Sequence, residues 1–195
     1  MKRPTRPESA SPCAILVIGL LAREETTLAQ AEGLLTGAFG PVAERSQIIP
    51  FDFTDYYEPE LGKNLLRSWL GFSRLVPADQ LAEIKVSTIR LEQQLSVPAS
   101  SQLADQYSIH HVRTVNLDPG ILTLHNFVLA STKDFAHRIY LGSGISAEVT
   151  LIFHQGRYEP LPWTYPDYKT DTCQRLLLAL RTRLKPGAAE REARE

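Results

Sequence analysis

The run Cys13-Ala-Ile-Leu-Val-Ile-Gly-Leu-Leu21 contains no charged side chain. A continuous apolar run of this length is typical of a central strand that is buried on both faces. The stretch that follows, from about Glu24 to Phe39, repeats apolar residues at three- and four-residue spacing, which places them on one side of a helix. Gly40-Pro41 ends that helix, since glycine accepts a left-handed conformation and proline cannot continue a helix. We therefore expect the chain to begin with a strand and a helix packed on it.

The alternation of strands and helices continues to about residue 120. We predict further strands at about Arg45–Phe53, Leu65–Val76 and Val112–Leu117. Asp118-Pro119-Gly120 is predicted to be the turn that closes the last of them. The longest helix is predicted from Pro77 to about Leu95. The order β-α-β-β-α-β is that of a ferredoxin-like, split βαβ fold. A doubly wound parallel sheet is the main alternative, because it shows the same alternation.

The last third of the chain is predicted to be an extension packed on this core. It comprises a short helix, a β-hairpin, one more strand and a closing helix, at about Thr123–Ser131, Arg138–Leu141, Ala147–Phe153, Tyr158–Leu161 and Asp171–Leu184. Thr123 is the expected N-cap of the short helix. The fold class is therefore α/β (α+β): one domain over residues 13–184, with a ferredoxin-like core over about 13–120 and a C-terminal helix/β-hairpin/helix extension over about 121–184. Residues 1–12 and 185–195 are expected to be a disordered arm and tail.

Composition limits the classes of function. The chain has 195 residues, 43% of them apolar and 22% charged, with 21 basic and 22 acidic residues and a net charge of −1. Balanced charge gives no general attraction to nucleic acid or to an anionic membrane, so neither is an expected partner. The first apolar run is too short to span a bilayer, and two cysteines are too few for a disulfide-based secreted scaffold. We therefore expect a cytoplasmic protein, and leave its oligomeric state and any cofactor open.

Three segments carry polar residues that the fold itself does not require, namely Phe51–Tyr57, Asn116–Gly120 and Thr132–Gly142, and Trp163–Tyr168 echoes the third. Glu148–Leu151 is a further motif of the sequence. In combination, over roughly residues 13–184, these segments resemble a bacterial family of uncharacterised proteins, the domain of unknown function numbered four-four-one-six. The family has no established activity, so the resemblance implies no reaction, cofactor or site residue.

Members of that family are sometimes labelled GTP-binding, and the sequence does not fit the label. A P-loop needs the pattern G-x-x-x-x-G-K-[ST], in which backbone N–H groups surround the phosphates and the lysine neutralises them. Gly62-Lys63 is followed by Asn64, and position 57 holds tyrosine rather than glycine. Thr132-Lys133-Asp134 is one residue too short for the guanine-reading T-K-x-D pattern. We therefore do not expect a standard GTPase.

A binding site for a small anion is the leading functional hypothesis. Lys133, His137 and Arg138 lie within six residues, and they supply a point charge, a titratable ring and a planar bidentate donor. The expected ligand is a phosphorylated or otherwise anionic metabolite, and a nucleotide if aromatic side chains stack on its base. Further ligand-binding candidates supply hydroxyl-orienting carboxylates, an amide and an aromatic ring: Asp52, Asp55, Asp118, Asn116 and Tyr140.

Two alternatives stay open at this point. The first is a metal-assisted hydrolase, in which Asp52, Asp55 and Asp118 would be weak candidates for holding a divalent cation through carboxylate oxygens. The second is a non-catalytic interaction module, in which the charged motif residues pair with one another and connect the core to the extension. Internal pairing of Lys133 or Arg138 with Asp134, Glu148 or Asp167 would favour that second reading.

Overall fold

A nine-stranded sheet forms the centre of the molecule. The computed structural model describes residues 12–98 and 111–185, so that the predicted arm and tail lie outside the described residues except at Pro12 and Lys185. The strands are β1 (Cys13–Ala22), β2 (Val42–Arg45), β3 (Ile49–Phe51), β4 (Leu65–Pro77), β5 (Val97–Pro98), β6 (His111–Val112), β7 (Val115–Leu122), β8 (Asn126–Ser131), β9 (Ile139–Gly142), β10 (Ile145–His154) and β11 (Arg157–Pro160). The helices are α1 (Glu25–Phe39), α2 (Glu58–Leu61), α3 (Leu81–Gln94) and α4 (Asp171–Arg183).

The strand order in the sheet is β11-β10-β8-β7-β1-β4-β2, with β3 paired to β4 and β9 paired to β10. Strands β5 and β6 form a separate two-stranded sheet. Each of the strand pairs within the described ranges is antiparallel. The mixed α+β class is therefore confirmed, and the doubly wound parallel alternative is wrong.

Strand β1 is the central strand that its apolar sequence predicts, because it is buried from Ala14 to Ala22. Its alternate side chains point to opposite faces of the sheet. On one face, Leu16, Ile18 and Leu20 pack against α1 and α3. On the other face, Ile15 and Val17 pack with the apolar side of α4. The sheet is thus covered on both faces, by α1 and α3 on one and by α4 on the other.

The helix predicted at Thr123–Ser131 is wrong, since this stretch contains strand β8. Phe127 and Leu129 alternate with less buried residues, which is the periodicity of a strand rather than of a helix. The Thr123 hydroxyl does accept hydrogen bonds from the backbone N–H groups of His125 and Asn126, at 3.1 and 3.0 Å. That hydroxyl stabilises the turn between β7 and β8 instead of beginning a helix.

The turn predicted at Asp118-Pro119-Gly120 is also wrong, because these residues continue strand β7 and pair with β1. Position 120 has no room for a side chain, because a Cβ atom on Gly120 would lie 2.5 Å from Cζ of Phe127. Pro119 has no N–H group to donate to a neighbouring strand. The ladder between β7 and β8 accordingly covers only Gly120–Leu122, and the two strands separate before it.

Candidate functional site

The sheet opens where β7 and β8 separate, and this opening forms a cavity of about 490 Å³. At the opened edge, Leu117 of β7 has both of its backbone groups satisfied by charged side chains of α3. Lys85 Nζ donates to the Leu117 carbonyl at 2.7 Å, and the Leu117 N–H donates to Glu92 Oε1 at 2.7 Å. Two buried charged groups thus take the place of a neighbouring strand, which leaves room for a cavity beside them.

Arg67 of β4 lies at the buried end of the cavity, with only 3% of its side chain exposed. It donates through Nη1 to Asp118 Oδ2 and through Nη2 to the Tyr168 hydroxyl, both at 3.0 Å. Its Nε lies 2.9 Å from Asp167 Oδ2, an ion pair in which the N–H does not point at the oxygen. Gly19 of β1 makes room for this group, because a Cβ atom there would lie 2.7 Å from Nη2.

The two carboxylates on Arg67 have pKa values displaced in opposite directions. Burial acts to raise the pKa of Asp118, but the charges of Arg67 and Lys85 and a hydrogen bond from Asn116 hold it below its ordinary value. Burial raises the pKa of Asp167, and the charge of Arg67 only partly offsets this. Asp118 is therefore the carboxylate of this pair that is held in its ionised form.

A second ion-pair group, centred on Arg113, forms another wall of the cavity. Arg113 binds both carboxylate oxygens of Glu60, through Nε and Nη2, at 2.6 Å each. Its Nη1 donates to Glu92 Oε2 at 3.0 Å and to Asn116 Oδ1 at 3.1 Å. Burial raises the pKa of Glu92, against the opposing charges of Lys85 and Arg113. The Arg113 guanidinium is therefore committed to internal partners.

The guanidinium of Arg138 also donates its hydrogen bonds to groups of the protein itself. Its Nε donates to Glu148 Oε2 at 2.7 Å, and its Nη2 donates to the Tyr165 hydroxyl at 2.9 Å. Its Nη1 donates to Ser131 Oγ and to the Lys133 carbonyl, at 2.9 and 3.0 Å. The guanidinium thus holds the backbone of the segment that carries Lys133, rather than leaving a free bidentate fork for a ligand.

Lys133 differs from these cations. Its side chain is exposed and forms part of the cavity wall. Its ammonium lies 3.8 Å from the centre of the Tyr56 ring, and among the described residues no carboxylate lies within ion-pair distance of it. Lys133 is therefore the lining cation that is available to a bound anion.

The structure brings half of the predicted site residues to the cavity. Lys133, Arg138, Asn116 and Asp118 line it. His137 lies behind Arg138, where Nε2 is 2.9 Å from Glu148 Oε2 and the ring stacks on Trp163.

The other three predicted residues lie elsewhere. Asp52 and Asp55 are exposed and do not line the cavity. Tyr140 is 67% exposed, and its hydroxyl accepts the N–H of Gly144 within its own hairpin. Within residues 12–98 and 111–185, no group of three His, Cys, Asp or Glu side chains is arranged to hold a metal ion.

Sequence reasoning missed Arg67, Lys85, Glu92 and Arg113. Three of these left a signal in the sequence. Arg67 is the charged residue in the buried part of strand β4, and Lys85 and Glu92, seven residues apart, share the buried side of α3 with Ile84. A charged residue at a position that the pattern assigns to the core is expected to have a buried partner.

The fold and cavity define an antiparallel α+β protein with a charged cavity at a split in its sheet. Residues 12–184 match the family model described as "Domain of unknown function (DUF4416)", so the chain belongs to this family. Searches of curated proteins and of solved structures find no significant match. No helix in the described part of the chain is long and apolar enough to cross a membrane.

Proposed function

We propose that the protein binds a small phosphorylated or otherwise anionic metabolite in the cavity between β7 and β8. The observation that carries this proposal is the ammonium group of Lys133. It lies in the cavity wall without a carboxylate of the described residues within ion-pair distance, whereas the other charged lining residues form ion pairs. A volume of about 490 Å³ lies within the range of small-molecule sites. A nucleotide is one such compound, as the sequence also suggests, because aromatic rings form part of the wall.

The way in which the charges are paired supports an anion. Five basic residues line the cavity, namely Arg67, Lys85, Arg113, Lys133 and Arg138, against four acidic ones, namely Glu92, Asp118, Glu148 and Asp167. Most of these charges are engaged in ion pairs with one another. Arg113 is also paired with Glu60, a carboxylate outside the cavity lining, so that five basic groups face five acidic ones. Among the described residues Lys133 is the lining cation with no carboxylate within ion-pair distance, which favours a negatively charged guest beside it.

The same ion pairs support a structural role for some residues that the sequence suggested as ligands. Arg138 and His137 both contact the buried carboxylate of Glu148, as an interaction module would require. We therefore propose that Lys133 contacts the ligand directly and that Arg138 positions Lys133 through its backbone carbonyl.

The location of the cavity is related to the division of the chain into a core and an extension. We propose a ferredoxin-like core within one domain over residues 13–184. The order β7-β1-β4-β2 and the location of α1 and α3 on one face support it. The continuation of the same sheet through β8 supports an extension that shares the core's sheet. The cavity then lies where core and extension meet.

Replacing Lys133 by glutamine is expected to abolish stabilisation by anionic ligands while leaving the fold intact. A ligand that binds only the folded state adds about 2.7 kcal/mol to the free energy of unfolding at about 100 times its Kd. The measurement is thermal unfolding with inorganic phosphate, sugar phosphates and nucleotides, first on the wild-type protein and then on the variant. We expect at least one phosphorylated compound to raise the melting temperature of the wild type, and Lys133→Gln to lose that rise.

The matched control is Lys63→Gln, because Lys63 is also an exposed lysine but does not line the cavity. This control should keep the full ligand-induced rise. An equal rise in Lys133→Gln and in the wild type would contradict the proposal, and so would the absence of any rise with every anion tested.

A further inference from the structure

The two oxygens of Asp118 are unequally used. Oδ2 accepts from Arg67 Nη1 at 3.0 Å and from Asn116 Nδ2 at 2.8 Å. Oδ1 has no hydrogen bond within the part of the chain that the structure describes, and Lys85 Nζ lies 4.0 Å from it. Asp118 is also 23% exposed, whereas the side chains of Asp167 and Glu148 are exposed by 5% and 1%. Oδ1 is thus a reachable and unused acceptor in the cavity.

The surroundings of this acceptor favour a neutral donor over a third cation. Arg67 and Lys85 already flank the carboxylate at 3.0 and 4.0 Å. An ammonium group of a ligand at Oδ1 would meet the repulsion of both cations. A hydroxyl group would gain the hydrogen bond without that repulsion.

Tyr57 supplies a second unused polar group beside the first. Its ring lines the cavity and is held by edge contacts with Phe51 and Tyr56, with ring centres 5.9 and 5.0 Å apart. Its hydroxyl makes no hydrogen bond among the described residues, although it is close enough to Asp118 and Arg67 for their charges to influence its pKa, which burial raises. A phenol both donates and accepts, so it complements the acceptor-only Asp118.

Resting on the proposed function, we infer that the ligand is a phosphorylated compound with neighbouring hydroxyl groups. Its phosphate binds Lys133, and its hydroxyls bond to Asp118 Oδ1 and to the Tyr57 hydroxyl. This chemistry is shared by free sugar phosphates and by the ribose phosphate of a nucleotide. The aromatic wall around Tyr56 and Tyr57 suits the C–H faces of a sugar ring as well as a base.

Calorimetric titration with four probes separates these possibilities: inorganic phosphate, ribose 5-phosphate, 2-deoxyribose 5-phosphate and AMP. For the wild-type protein we expect ribose 5-phosphate to bind at least tenfold more tightly than inorganic phosphate and several-fold more tightly than the deoxy compound. If AMP binds more tightly still, the source is a nucleotide. If AMP binds more weakly than ribose 5-phosphate, the source is a free sugar phosphate.

The variant Tyr57→Phe removes one hydroxyl and keeps the ring. We expect it to weaken ribose 5-phosphate binding about tenfold while changing inorganic phosphate binding less than twofold. Tyr140→Phe, outside the cavity, is the matched control and should change neither. Asp118→Asn should act like Tyr57→Phe, but it also alters the Arg67 network, so the tyrosine variant is the primary test.

The two proposals fail in different ways. If phosphate and ribose 5-phosphate bind equally, and both depend on Lys133, the inference about hydroxyls is overturned and the anion site stands. The inference is also overturned if Tyr57→Phe binds ribose 5-phosphate as the wild type does. If none of the four probes binds the wild-type protein, the inference and a site for phosphorylated ligands are both overturned.

Discussion

Replacing Arg67 by methionine is expected to lower the free energy of unfolding by about 3–5 kcal/mol, the usual result of removing one partner from a buried ion pair. Arg67 is almost fully buried and contacts Asp118, Asp167 and the Tyr168 hydroxyl. Methionine fills part of the volume but supplies neither charge nor donors. The buried Asp167 therefore loses the cation paired with it, and Asp118 keeps Lys85, at 4.0 Å.

The decrease in the free energy of unfolding caused by Arg67→Met should become smaller as pH falls. Without Arg67, both carboxyls lose a charge that lowers their pKa, so the folded variant takes up protons more readily than the folded wild type. Protonation of these carboxyls as pH falls therefore removes part of the cost of losing Arg67. In the wild type, the lowered pKa of Asp118 contributes stability above the unfolded value, and this contribution is lost as pH falls. The difference between the two proteins should narrow from neutral pH towards about pH 4.

Urea unfolding at several pH values measures this effect. The matched control is Arg157→Met, because Arg157 is 71% exposed and its contact with Glu159 is a surface ion pair. Exposed pairs contribute about 0–1 kcal/mol, so the control should change little. If Arg67→Met is too unstable to measure, adding Asp118→Asn and Asp167→Asn should recover part of the loss. A variant as stable as the control at neutral pH would show that the Arg67 network does not stabilise the fold.

Replacing Arg138 by methionine is expected to lower the free energy of unfolding by about 3 kcal/mol, because it removes the guanidinium that pairs with the buried carboxylate of Glu148. The double variant Arg138→Met with Glu148→Met should recover most of this loss, since replacing both partners of a buried pair by apolar residues is often neutral. Equilibrium unfolding of the two single variants and the double variant gives the coupling energy directly.

Arg45→Met is the control for this cycle, because Arg45 makes a surface ion pair with Glu32. It should cost less than about 1 kcal/mol. A cost for Arg138→Met no larger than that of the control would mean that its contacts with Glu148, Ser131 and the Lys133 carbonyl do not fix this segment. Arg138 would then be available as a ligand for the anion, as its sequence context suggests.

The local pattern of apolar residues was sufficient to predict many of the helices and strands. The apolar run at Cys13–Leu21 predicted a strand that is buried on both faces, and the structure contains it as β1. The three- and four-residue spacing of apolar side chains predicted α1, α3 and α4, each of which has one apolar face. The segment at Thr123 misled the prediction, since a threonine that caps a turn and one that begins a helix look alike in sequence. Asp118-Pro119-Gly120 misled it for a related reason: turn-forming residues here interrupt a ladder with β8 instead of reversing the chain.

The candidate site was only partly predictable, because its partners come from distant parts of the chain. The polar motifs directed attention to Asn116, Asp118, Lys133 and Arg138, and these residues do line one cavity. Which of the cations would remain unpaired could not be deduced from local sequence. Arg138 meets Glu148 through the pairing of β9 with β10, whereas Lys133 lies in the loop before them. Whether Arg138 or Lys133 pairs with a carboxylate therefore depends on the tertiary structure.

The most direct test of the anion site is a crystal structure of the protein with saturating ribose 5-phosphate. We expect electron density for the compound in the cavity between β7 and β8, with a phosphate oxygen within hydrogen-bond distance of Lys133 Nζ. An empty cavity under those conditions, or a phosphate bound elsewhere and away from Lys133, would contradict it.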